Sequence, residues 1–195
     1  MLKTLLGGVA ALSLIGASSA GFAQEPEGPV VTGARPAETA DALKVREAIA
    51  YSNPLPRGAP TADYPLVAWC DALVTGHADL GETLTNPAPE DTELVRLGRL
   101  EAQDFRSALA AATPRQSAAS KAEAARAVAA VKAQWAPLLA SQDEAARSQS
   151  FGLFYGLPGR CEHAARRIRE NITTPPATPA EVGLEAPAAA SATAN

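Results

Sequence analysis

Thirteen of the 31 residues from Ser117 to Arg147 are alanine, and that density sets both a secondary structure and a difficulty. Alanine is the strongest helix former, yet it removes little apolar area from water when buried. A chain built around such a segment is helical, and a few large side chains must complete its core. Trp69, Phe105, Trp135, Phe151, Phe154 and Tyr155 are the candidates. A covalent staple is correspondingly valuable, and the only two cysteines are Cys70 and Cys161.

The periodicity of the apolar residues agrees. From Tyr64 to Leu84, Leu66, Trp69, Leu73, Leu80 and Leu84 share one stripe with Cys70 beside it, while Asp71, Thr75, Asp79 and Glu82 take the other face. From Glu90 to Ala112 the stripe is Leu94, Leu97, Phe105, Ala108, Leu109 and Ala112. From Pro114 to Ala140 it is Ala124, Val128, Val131, Trp135 and Leu138, with Pro137 kinking or ending the helix. A shorter helix is predicted over Ala37 to Ser52, then a Pro/Gly-rich connection to Asp63.

Helix starts are written as Thr113-Pro114-Arg115-Gln116, as Ser141-Gln142-Asp143-Glu144, and as the Pro- and acid-rich run Pro87 to Glu93. Phe151, Leu153, Phe154, Tyr155 and Leu157 surround their helix, which predicts the most buried segment of the chain. Gly152 and Gly156, four apart, predict close approach of a neighbouring helix. Cys161, Ala164, Ile168 and Ile172 give a final helix an apolar edge, with His163 turned away from it. No strand pattern or repeat is present. The expected fold is all-α, a single bundle of about four main helices plus shorter pieces, stapled by a Cys70–Cys161 disulfide.

Both ends read differently from the middle. Residues 1–23 have the layout of a secretory signal: Lys3 near the start, an apolar run from Thr4 to Ile15, and small residues before a cut near Ala23. The apolar core is too short to span a bilayer. Export places the chain in a disulfide-forming compartment, periplasmic or secreted, since the leader looks bacterial. Residues 24–36 read as a flexible N-terminus, 37–172 as the helical domain, and 173–195 as a disordered Pro/Ala-rich tail. The net charge is −4, and losing Lys3 with the signal makes the mature chain slightly more acidic. That balance argues against nucleic acid, which calls for a basic footprint. No further apolar run reaches transmembrane length.

Site chemistry has little to work with. Two cysteines 91 positions apart and two histidines give no Cys-x-x-Cys pair, haem motif or zinc cluster, so no metal or cofactor is expected. His77 and Glu101 stand out because each falls inside an apolar stripe. If their helices form a hairpin around Thr85 to Pro87, at about 1.5 Å per residue both lie a similar distance from the turn and meet. Burying either one unpaired is costly, so a structural pair, a ligand contact or an acid/base pair are the readings. Arg160, Arg166, Arg167 and Arg169 make the final helix basic, either as a solvated face or as a surface for an acidic partner. The leading expectation is a non-catalytic scaffold, adaptor or chaperone-like protein that binds another envelope or periplasmic protein. The alternatives are a small-ligand-binding protein that uses His77 and Glu101, or an enzyme that uses them as acid and base.

Overall fold

The central helix, α2 (Asp63–Glu82), buries 13 of its 20 residues, more than a one-faced amphipathic helix needs. It is packed by α3 (Pro89–Ala112), α4 (Ala118–Leu139), α5 (Glu144–Gly152) and α6 (Arg160–Glu170), and α1 (Ala40–Ser52) lies against α6. Two short 3-10 turns, at Thr113–Arg115 and Ala180–Val182, complete an all-helical bundle. The computed structural model describes residues 38–154 and 156–184, within a unit that begins at Glu38. The expected signal, the residues 24–36 and positions 185–195 of the expected tail lie outside the described residues.

The main core joins Leu66, Val67, Trp69, Cys70 and Val74 of α2 to Phe105 and three alanines of α3, Val131 of α4 and Ile168 of α6. A smaller cluster, Leu80, Leu84 and Phe151, closes the far end of α2 with help from Val95 and Trp135. The alanines let the helices approach, and the few large residues supply the area. Cys70 and Cys161 form the expected disulfide, with 6.1 Å between their Cα atoms. Both are almost wholly buried, so the bond pins α2 to α6 from inside.

Several local expectations shift. Thr113 does not start α4. Its hydroxyl donates to the Leu109 carbonyl and meets the Tyr64 hydroxyl, and Ser117 caps α4 by accepting from Ser120 N. Likewise Asp143, not Ser141, caps α5 by accepting from Ala146 N. In each case two polar residues competed for one cap, and the one nearer the helical run won. The acid-rich start of α3 is as expected, with Asp91 accepting from Ala88 N. Pro137 falls in the last turn of α4.

The segment after α5 is the clearest correction. Among the described residues of the expected cluster Phe151 alone is buried, while Leu153 is 56% exposed; Tyr155 lies outside the described residues. Gly152 and Gly156 have nothing near the position of an added side chain, so neither serves a helix contact. The close approaches occur in α2 instead. A Cβ on Gly76 would stand 2.1 Å from Trp135 Cδ1, and one on Gly81 2.4 Å from Val95 Cγ2. Nor does the fold stop at residue 172. Residues 173–184 run back over α1 and α6, and together with them enclose a recess lined by Pro175, Pro176 and Thr178.

Candidate functional site

His77 is 5% exposed and its imidazole lies between two phenyl rings. Phe151 stacks on it at 4.2 Å between centroids with a 6° interplanar angle, and Phe154 at 4.3 Å and 23°. Nε2 is 3.0 Å from the Phe151 carbonyl oxygen. A carbonyl only accepts, so Nε2 carries the proton and Nδ1 keeps its lone pair. Burial pushes the pKa of His77 down, against the pull of that hydrogen bond. Burial thus favours the neutral form of this imidazole.

Glu101 is placed on α3 and does not pair with His77 as expected. The partner of His77 is the end of α5, which hairpin reasoning on α2 and α3 alone could not include. The two residues nevertheless line one shallow depression of about 270 Å³, with Val74, Leu97, Phe154 and Gly156 among its walls. Glu101 is exposed by area, but its carboxyl is crowded by those walls. That crowding raises its pKa, and Glu162 and Asp104 raise it further by like charge. No cation pairs with Glu101 among the described residues.

The rim of this depression is apolar and open. Leu94 and Leu97 line it and are 50% and 46% exposed, while Leu100 and Leu153 are exposed leucines outside its lining. The sequence pattern puts Leu94 and Leu97 in the core. The structure turns the face carrying Gly98, Ala102 and Phe105 inward instead, where Gly98 lies against Val74 and Ala78 of α2.

The arginines of α6 form neither a free basic face nor a uniform one. Arg167, 5% exposed, donates to Glu47 at 2.8 Å, to Asp63 at 3.1 Å and to the Thr174 carbonyl. Burial alone would lower its pKa, but these acceptors raise it. Arg166 donates to the other oxygen of Glu47 at 2.7 Å. Arg160 lies over the Tyr51 ring at 4.3 Å and donates to the Thr61 carbonyl at 2.6 Å. Arg169 pairs with Asp104 at 2.6 Å. All four are engaged within the chain and tie α1, α2, α3 and the C-terminal segment to α6. His163, expected to point outward, is 3% exposed, and its Nδ1 has no partner.

Among the described residues no group of three His, Cys, Asp or Glu side chains is placed to hold a metal, and no helix is long and apolar enough to cross a membrane. Comparison of the chain with protein-family models, with curated proteins and with solved structures gives no match.

Proposed function

We propose that this chain is an exported, non-catalytic binding protein that holds a segment of another periplasmic or secreted protein in the depression on α3. One observation carries the reading: two half-exposed leucines, Leu94 and Leu97, line a shallow hollow on a bundle whose core is complete without them. Contiguous exposed apolar surface of this kind marks interaction sites. The hollow also sets the chemistry of its occupant. Glu101 stands at its edge without a cation, with Glu162 and Asp104 close enough to raise its pKa. An amphipathic segment with apolar anchors and a Lys or Arg fits both features. The secretory layout of residues 1–23 and the buried disulfide support the exported setting.

A photo-crosslinking side chain at Leu97 tests this in the cell, with the same group at exposed Lys121 as the control. The expected result is one discrete adduct from Leu97, absent from Lys121. The purified partner should then lose affinity for Leu94→Glu and Leu97→Glu proteins of unchanged melting temperature. Adducts from both positions, or from neither, would overturn the reading.

A small-ligand reading is favoured by one specific observation, the imidazole of His77 and the unpaired carboxyl of Glu101 lining the same hollow. Glu101→Gln separates the two. It removes the ionisable carboxylate while leaving the leucines intact, so it should only weaken a docked protein but abolish binding of a small ligand held by the pair.

A further inference from the structure

A second recess, of about 460 Å³, opens between α2, α3 and α4 and shares no lining residue with the hollow on α3. Its base is made of small residues, Ala72 and Gly76, and the Trp135 indole forms one wall. Asp71, Thr75, Arg106 and Lys132 bring polar groups to it.

The balance of donors and acceptors in this recess is uneven. One oxygen of Asp71 accepts from both Thr75 Oγ1 at 3.2 Å and Arg106 Nε at 3.1 Å. Thr75 in turn accepts from Arg106 Nη2 at 2.7 Å. Asp79, at the margin, is paired with Arg99 at 2.7 Å. The donors are not matched in the same way. Lys132 is close enough to Asp71 to lower its pKa, against the larger effect of burial, but it makes no ion pair among the described residues. The Trp135 Nε1–H is buried with no acceptor.

A tie between α2 and α3 explains Asp71 and Arg106, and the Trp135 N–H is packed over Gly76 out of reach of the recess, which leaves the Lys132 ammonium as the donor that no carboxylate engages. An unpaired ammonium beside an apolar wall suits a ligand that brings an anionic acceptor and an apolar body. A cationic ligand is disfavoured, since it would meet Arg106 and Lys132 on the way to Asp71.

We propose that this recess binds a small amphipathic carboxylate, its apolar body against Trp135 and Val128 and its carboxylate at Lys132 beside Arg106. The recess shares no lining residue with the protein-docking hollow, and the Trp135 indole stands between the two.

The test uses the oxidised full-length protein and three probes of one shape: 4-phenylbutyrate, 4-phenylbutan-1-amine and 4-phenylbutan-1-ol. The readout is the indole N–H resonance of Trp135, distinguished from that of Trp69 in a Trp69→Phe protein. The carboxylate should shift it saturably, and the amine should not. Lys132→Glu, at an exposed position without an ion pair, should weaken carboxylate binding by about tenfold or more, and Leu97→Glu should leave it unchanged. An absent or non-saturating shift overturns the proposal. So does an equal response to the amine or the alcohol, or a Lys132→Glu protein that binds as before.

Discussion

His77 and His163 are both buried and both bind a proton less readily in the folded chain than in the unfolded one. Below the ordinary value of 6.5 the unfolded state therefore takes up more protons. Stability contributed by keeping these imidazoles neutral is complete above that pH and declines as pH falls through it. Asp71 and Glu101, whose pKa values are raised, act the other way: acidification relieves the cost of their burial. The histidine effect starts at higher pH, so urea midpoints should fall as pH drops below 6.5, and His77→Gln/His163→Gln should flatten that slope. An identical slope in the double variant would refute the assignment. Gly76 makes a second prediction at this scale. A methyl group there overlaps the Trp135 indole backed by Phe154, so Gly76→Ala should destabilise by about 1–3 kcal/mol in urea titration. Trp135→Ala should relieve much of that added cost when the two are combined.

At the level of helices, existence and order were legible because alanine density and the 3.6-residue period are local properties. Exact starts were less so, since Thr113 and Ser141 carry the same capping chemistry as Ser117 and Asp143. The role of the α6 arginines was not legible at all. Their acceptors Glu47 and Asp63 lie more than 100 residues away in sequence, and a run of Arg on a helix reads as solvated until its neighbours are known. Arg167 is the member that matters most. Arg167→Met removes the cation and leaves buried Glu47 with Arg166 alone, which should cost about 3–5 kcal/mol by chemical denaturation. Restoring apolarity on both sides with Glu47→Leu should recover part of it. The disulfide spans 91 positions, and loop-closure entropy gives about 4–5 kcal/mol for a loop of that size. Replacing both cysteines by alanine should lower the urea-derived stability by that amount, with the helical circular dichroism retained in the absence of denaturant.

Across the whole molecule, the candidate site was half visible in the sequence. His77 and Glu101 do reach the same hollow, but the pairing assumed a two-helix hairpin, and the backbone of α5 supplies the actual partner. Leu94 and Leu97 misled for a related reason. Periodicity says that a face is apolar, not whether the chain itself covers it, and here Gly98 and Ala102 form the inward surface of α3. The recess beside Trp135 was invisible because its residues come from three helices and include no motif. The buried link between α2 and α6 has one more consequence. The exposed turns at 85–88, 113–117 and 140–143 all fall between Cys70 and Cys161, so a protease that cuts any of them releases nothing. The two halves stay joined as one covalent particle. Such nicked protein should run as a single band on a gel without reductant and as two with it, so the covalent link makes the bundle tolerant of a single backbone cut.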